Sequence, residues 1–377
     1  MKKYFLLLIF LLGAVVLYAQ HRVETIFPYR MVGGKIIIDM KMNGQIRSFI
    51  FDTGGQTALT EEICDELSLP QIDDEKITDV NGSTKGYKRV IIHELKDVND
   101  KFSFKDVPAI VIPAKSAVTY FHVDGIIGSN VLRYSIVELD GKSKQMRIFV
   151  SGVLPSIRKM LPFVQTGFMP IINIQLGKTE MLPVLFDTGC PAFLNLKDSD
   201  FSVLQDRGLF KLKNKFYTEG SLGLNGKISE TTSYRVLFPL LSIGSAHFKN
   251  VDSETSSSPL TLLGVKLLNY GKVTIDYPQS RFYFELYEDK EHDLTSTHYL
   301  FTLTVKDGNL CVSSVDESLK SQLTIGDKVL KINGKSVRKY SFGESIISGI
   351  PDLKKKKVNK LIIQTQNGPK EFTYKKQ

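Results

Sequence analysis

Residues 34–55 read GKIIIDMKMNGQIRSFIFDTGG, and residues 169–190 read MPIINIQLGKTEMLPVLFDTGC. Each is a β-rich apolar hairpin that runs into Phe-Asp-Thr-Gly, and both occur in one chain of 377 residues. A second segment follows each: DGIIGSNVLRYSIVELDGKSKQMRIF over 124–149 and LTLLGVKLLNYGKVTIDYPQSRFYF over 260–284. Asp52 precedes Gly128 by 76 residues, and Asp187 precedes Gly264 by 77. Two matched motifs at a matched separation identify an internal duplication, which takes precedence over any local reading.

Each copy is about 130 residues of short strands separated by turns. Runs rich in Ile and Val predict strands over Lys35–Met42, Arg89–Leu95, Ala109–Ile112, Ile171–Leu176 and Val273–Ile275. Helical periodicity is brief, over Thr60–Ser68 and Asn130–Tyr134. Asn43-Gly44, Asn81-Gly82 and Asn225-Gly226 are dipeptides that favour two-residue hairpin turns. The expectation is two similar, mostly β lobes joined by Ser151–Gly167, where Pro155 and Pro162 interrupt regular structure.

Two copies of apolar-Asp-Thr-Gly, each followed by an apolar-apolar-Gly segment, resemble the aspartic peptidases of the retropepsin and pepsin clan, in their exported bacterial branch. The resemblance covers roughly residues 25–287. It implies a mainly β fold of two tandem retropepsin-like β-barrel lobes, a pepsin-like bilobal pseudo-dimer with a cleft between its halves. The expected organisation is a signal peptide over 1–19, lobe 1 over 20–150, lobe 2 over 151–290 and a further unit over 291–377.

Hydrolysis of a peptide bond without a metal or a nucleophilic serine needs a water activated by a base and a carbonyl polarised by an acid. Two carboxyl groups held together supply both, because like charges at hydrogen-bonding distance retain one proton between them. Asp52 and Asp187 are the candidate catalytic pair, and their proton belongs to the pair rather than to either member. Thr53 and Thr188 would hydrogen-bond across the interface, while Gly54 and Gly189 would allow close backbone approach. Phe51 and Phe186 close the apolar strand behind each aspartate. A lone Asp-Thr-Gly after a strand reads as a turn; its duplication favours chemistry. Gly55 and Cys190 stand where pepsin-like enzymes carry Ser or Thr and retroviral ones Ala, which leaves a catalytically silent peptide-binding groove as the alternative, and a protein that cuts only itself or one partner as a third. The resemblance further implies hairpin flaps over the cleft, with Asn81, Gly82, Asn225 and Gly226 at their candidate tips and Tyr87 as a flap aromatic or a packed strand residue.

The last 80 or so residues form another unit. Leu323-Thr-Ile-Gly-Asp-Lys-Val-Leu-Lys-Ile-Asn-Gly334 resembles the PDZ segment in which Gly-Asp turns the chain into a strand ending at Asn-Gly. Asn309–Val315 would be the preceding strand, Ser341–Ser348 the main helix, and Lys360–Gln364 with Glu371–Tyr374 the closing strands. That family captures extended peptides, often a free C-terminus, by strand addition; a unit that only packs on the peptidase is the alternative.

The formal charge of +9 does not point to nucleic acid. Residues 295–377 carry 15 Lys and Arg against 7 Asp and Glu, and residues 20–294 net −1, so the excess is confined to the C-terminal unit. Its densest run, Lys354–Lys357, reads as a solvated loop or strand edge. Three dispersed cysteines, Cys64, Cys190 and Cys311, build neither a disulfide framework nor a zinc site. Neither HExxH nor a phosphate-binding P-loop occurs, and Trp is absent, which argues against a sugar platform. The expectations are no cofactor, no metal, no nucleic acid, a polypeptide substrate and a monomer holding a complete pair. Lys2 and Lys3 precede an apolar run from Tyr4 to Tyr18, with Ala19 suited to cleavage, so the protein is expected to be periplasmic, outer-surface or secreted. The membrane would be met only through an uncleaved export segment.

Overall fold

The computed structural model describes residues 24–79, 81–150, 154–156, 159–220, 222–227 and 230–377. The export segment expected over 1–19 lies outside the described residues. Among them the chain is mainly β, and no helix is long and apolar enough to cross a membrane.

The first half runs through β1 (Glu24–Val32), β2 (Lys35–Met42), β3 (Gln45–Asp52), β4 (Ala58–Thr60), α1 (Glu61–Glu66), β5 (Asp73–Thr78), β6 (Thr84–Lys96), β7 (Ser103–Ile112), β8 (Gly125–Gly128), β9 (Ile136–Asp140) and β10 (Gln145–Phe149). β2 and β3 form the hairpin read from the sequence, with Met42 opposite Gln45 and both turn residues at positive φ, Asn43 at 48° and Gly44 at 76°. Two adjacent positive φ values match the twist of the flanking strands, which is why Asn-Gly is favoured there. Phe49, Ile50 and Phe51 are all buried, the continuous apolar run expected of a strand covered on both faces. β8 lies parallel to β3, pairing Phe49 with Gly125 through Asp52 with Gly128, and antiparallel to β4. The Ile-Ile-Gly strand is thus inserted between the strand that delivers Asp52 and the strand that leaves it.

The second half runs through β11 (Met160–Thr166), β12 (Met169–Leu176), β13 (Glu180–Asp187), β14 (Leu194–Lys197), α2 (Asp198–Asp206), β15 (Lys211–Thr218), β16 (Leu222–Gly223), β17 (Gly226–Lys227), β18 (Thr231–Ile243), β19 (Ala246–Ser256), β20 (Leu262–Gly264), β21 (Gly271–Asp276) and β22 (Arg281–Leu286). Its central pattern repeats that of the first: β20 is parallel to β13, pairing Leu185 with Leu262 through Asp187 with Gly264, and antiparallel to β14. The short β23 (His292–Asp293) still pairs with β19.

One antiparallel sheet crosses from half to half in the order β1, β10, β9, β21, β22, β11. Its seam is β9 against β21, from Ile136 opposite Asp276 to Asp140 opposite Lys272. The largest apolar cluster accordingly spans both halves, with Phe51, Phe186, Phe282 and Tyr277 within it.

The C-terminal unit consists of β24 (Phe301–Lys306), β25 (Asn309–Asp316), β26 (Lys328–Ile332), β27 (Lys335–Ser336), α3 (Phe342–Ser348), α4 (Pro351–Lys354), β28 (Asn359–Thr365) and β29 (Gly368–Tyr374) around its own core of Leu310, Val312, Leu361 and Ile363. It touches both halves. β25 adds to β15, with Phe216, Tyr217 and Thr218 opposite Asp316, Val315 and Ser314. On the other side α3 packs on a 3-10 turn at Ala117–Phe121, where Phe342 meets Tyr120 edge to face at 5.3 Å.

Several local expectations require correction. Part of the expected connection is the strand β11: Met160–Pro162 pair with β22 and Phe163–Thr166 with β12, so Pro162 sits where the strand changes partner and its missing N–H is tolerated. Asn81-Gly82 is not a two-residue turn, because Thr78 faces Thr84 and five residues intervene. At Asn225-Gly226 the turn is Leu224-Asn225, since Gly226 is already opposite Gly223. The helix expected from Thr60 begins at Glu61, after β4, and that expected over Asn130–Tyr134 is a 3-10 turn at Ser129–Val131.

Candidate active site

β3 and β13 end side by side and deliver Asp52 and Asp187 to one place. The Thr53 hydroxyl donates to the Phe186 carbonyl (2.7 Å) and accepts from the Thr188 N–H (3.0 Å). The Thr188 hydroxyl does the same in reverse, donating to the Phe51 carbonyl (2.8 Å) and accepting from the Thr53 N–H (3.0 Å). Both threonines are fully buried, so four backbone groups that would otherwise be stranded are satisfied across the joint.

The glycines set how closely the carboxyl groups approach. A Cβ built on Gly54 would lie 2.6 Å from Asp187 Cγ, and one on Gly189 would lie 2.6 Å from Asp52 Oδ2, so no other residue fits either position without displacing the opposing acid. The Gly54 N–H donates to Asp52 Oδ1 (2.9 Å) and the Gly189 N–H to Asp187 Oδ1 (2.7 Å). Asp52 and Asp187 are themselves in hydrogen-bonding contact. Burial, and then the neighbouring Asp52 charge, push Asp187 well above the ordinary carboxylate range, with Lys35 and the Gly189 N–H working against them. The pair therefore keeps a proton under conditions where isolated carboxyls have lost theirs.

Lys35, at the start of β2, donates to the Gly189 carbonyl. The Cys190 thiol is buried and pushed up to about 12 by that burial and by Asp187, which makes it a neutral neighbour rather than a nucleophile. Tyr277 is also buried, and desolvation raises its phenol above its ordinary value.

The remaining sequence candidates, Asn81, Gly82, Asn225 and Gly226, meet one another at the tips of two hairpins. Asp79 is the hub. Its buried carboxylate accepts from the N–H groups of Asn81 (3.0 Å), Ser83 (3.2 Å) and, across the halves, Asn225 (2.8 Å). Asn81 Nδ2 donates to the Gly226 carbonyl (3.1 Å), the Tyr87 hydroxyl bonds Asn225 Oδ1, and Leu224 packs on the cluster that holds Ile37, Ile50 and Tyr87. The hairpin β5–β6 of the first half and the tip β16–β17 of the second are thus joined.

Sequence reading did not single out Lys35, Asp79 or β24. The alternating Phe301-Thr-Leu-Thr-Val was a usable strand signal for β24. The contacts that make Lys35 and Asp79 matter, to Gly189 and Asn225, lie 154 and 146 residues away and left no local signal, although an Asp two residues before Asn81 is a local turn signal for Asp79. Beside β24 and α3 runs a groove of about 590 Å³ lined by Leu303, Phe342, Ile346 and Ile350 together with Lys354, Lys356 and Lys357. Among the described residues no group of three or more His, Cys, Asp and Glu side chains converges as a metal site would require.

No curated protein matches the chain. Residues 38–131 match the family model of the aspartyl proteases, a segment that contains Asp52-Thr53-Gly54 and Gly128 and ends before the second copy. An aspartyl protease domain in that segment identifies a hydrolase that acts on peptide bonds as the class to which this site is similar.

Proposed function

We propose that the chain is an exported aspartic endopeptidase in which two β-barrel lobes hold Asp52 and Asp187 as one catalytic pair and a PDZ-like unit presents or admits the polypeptide. The observation that carries the reading is the reciprocal Thr53–Thr188 hydrogen bonding, which fixes two Asp-Thr-Gly turns against each other with their carboxyl groups in contact. Two acids forced together in a buried place destabilise a fold, so a joint that secures them so fully argues for chemistry.

The reaction follows from a pair that holds one proton. A water between the carboxyls gives a proton to the ionised member while its oxygen attacks the scissile carbonyl carbon. The protonated member donates to the carbonyl oxygen, and a gem-diol results. The pair's proton then passes to the nitrogen while one gem-diol hydroxyl gives its proton back to the pair, and the C–N bond breaks, releasing an acid and an amine with the pair again holding a single proton. Neither aspartate is assigned the base or the acid. The joined hairpins would act as the lid that excludes water and grips an extended substrate, and they must part to admit it.

Two observations support a role for the C-terminal unit. β24 pairs only with β25 among the described strands, leaving its other edge beside α3 for an added peptide strand, and the lysines of the groove suit a terminal carboxylate. β25 also extends β15, which leads into the tip at Asn225, so a ligand beside β24 would act next to the lid. Lys2, Lys3 and the apolar run to Tyr18 support export, and both aspartates in one chain support a monomer.

The test compares mature protein with Asp52→Asn and Asp187→Asn variants on a mixed peptide library from acidic to neutral pH, with products read by mass spectrometry. Cleavage that both substitutions abolish is expected. An intact library with wild type, or cleavage surviving either substitution, would overturn the reading.

A further inference from the structure

The two halves present the same backbone to the carboxyl pair but not the same charge. In the first half Ile36 is opposite Phe51, which sets Lys35 at the level of Asp52. In the second half Ile171 is opposite Leu185, and the position equivalent to Lys35 is Met169, packed with Leu185, Cys190 and Leu262. Lys35 is partly buried, and its ammonium is anchored on the carbonyl of Gly189, two residues beyond Asp187. The turn before it leans on the second half as well, since a Cβ on Gly34 would lie 2.8 Å from Pro191 Cβ.

We infer that Lys35 is a positioning residue that ties β2 to the Gly189 turn and sets, by its charge, the pH range over which the Asp52–Asp187 pair holds a single proton. The inference rests on the peptidase reading and deepens it. The titratable groups that bear on the pair are few. Cys190, from the turn after β13, is neutral through the acidic and neutral range, and so is Tyr277, from the end of β21. Burial and mutual repulsion drive the pair's proton affinity up, and Lys35 is the cation that opposes them at Asp187. A cation beside an acid favours the ionised form, so Lys35 moves the working range downward. Its removal must move both limbs of the profile to higher pH.

The experiment measures kcat/KM against pH for wild type, Lys35→Met, Lys35→Gln and Lys35→Arg on one peptide. Met removes the charge and the bond; Gln removes the charge and keeps a donor for the Gly189 carbonyl; Arg keeps both. The two neutral variants are expected to shift the bell upward by about one pH unit, about a tenfold loss at a fixed pH on the acid limb. Arg is expected to restore the wild-type profile. If Lys35→Met does not fold, Lys35→Gln decides alone. A folded neutral variant with an unmoved profile, or one inactive at every pH, overturns the inference while leaving the peptidase reading intact. A wild type that cleaves nothing, or an Asp52→Asn variant that still cleaves, sinks the peptidase reading itself, before the Lys35 profiles are compared.

Discussion

Around Asp52 the residue after the glycine is Gly55, and the adjacent strand begins with Lys35; around Asp187 the corresponding residues are Cys190 and Met169. The first half closes its hairpin with a compact turn between Thr78 and Thr84, whereas the second sends out a longer tip with its own strand pair, β16 and β17. What stays the same is the architecture at the joint, across which Thr53 and Thr188 exchange hydrogen bonds. Within each half the glycine N–H holds its own aspartate, Gly54 to Asp52 and Gly189 to Asp187, and that aspartate sits opposite a glycine, Asp52 opposite Gly128 and Asp187 opposite Gly264. Duplication has been kept where the two turns are built against each other, and relaxed where each half meets a different neighbour.

The strongest way to break the symmetry is to neutralise one acid. Asp52→Asn and Asp187→Asn are each expected to lower kcat by about a thousandfold or more, because an amide cannot take a proton from the attacking water. Near-equal losses in the two variants would make the pair a functional unit, and a large loss in only one would show that the halves are unequal.

Next come the threonines. Thr53→Val and Thr188→Val each leave a buried N–H and a buried carbonyl without a partner, at a cost of about 2–4 kcal/mol in unfolding free energy by chemical denaturation. Similar costs would show the two hydroxyls to be equivalent, since they make mirror-image bonds.

The hairpin tips are where the halves differ. Asp79→Ala removes the acceptor of three N–H groups, one of them from the opposite half, and is expected to cost about 1–3 kcal/mol locally. Hydrogen exchange at residues 81–87 and 222–226 should rise together. Faster exchange in only one segment would mean that the tips are held independently.

A smaller effect separates the two acids by pH. The raised proton affinity of Asp187 means that the folded protein binds a proton the unfolded chain releases, so stability falls as pH rises from the ordinary value of 3.8 toward neutrality. Asp187→Asn does not titrate and should gain stability relative to wild type over that range, measured as the difference in denaturation midpoint at pH 4 and pH 7. A constant difference would contradict the raised proton affinity. The smallest effect is expected at Cys190→Ala, where a neutral buried thiol gives way to a methyl group: less than about a threefold change in kcat/KM, with insensitivity to mild oxidants before and after.

The duplication was legible because both copies keep Asp-Thr-Gly after an apolar strand, and because the spacing to the glycine of the following apolar-apolar-Gly segment is kept to within one residue. The β2–β3 hairpin was legible because Asn43-Gly44 meets a specific backbone demand. The two-residue turns expected at Asn81-Gly82 and Asn225-Gly226 were misplaced because the same dipeptide has another use there: Asn81 and Asn225 work through side-chain and backbone bonds to the opposite half, which outweigh local turn preference. β15 is a further case. Its sequence, Lys211-Leu-Lys-Asn-Lys-Phe-Tyr-Thr, is too polar to announce a strand paired on both edges, yet β18 holds one edge and β25 the other. Such pairings join residues about 100 positions apart and leave no local periodicity to read.

The seam between β9 and β21 has a consequence for how the chain is connected. Five residue pairs of main chain stitch the halves together there, independently of the covalent link that passes through residues 150–159. The linker then acts chiefly as a tether that keeps the second half at high effective concentration near the first. Opening it between Val150 and Lys159 should turn one polypeptide into a two-fragment assembly whose activity depends on dilution.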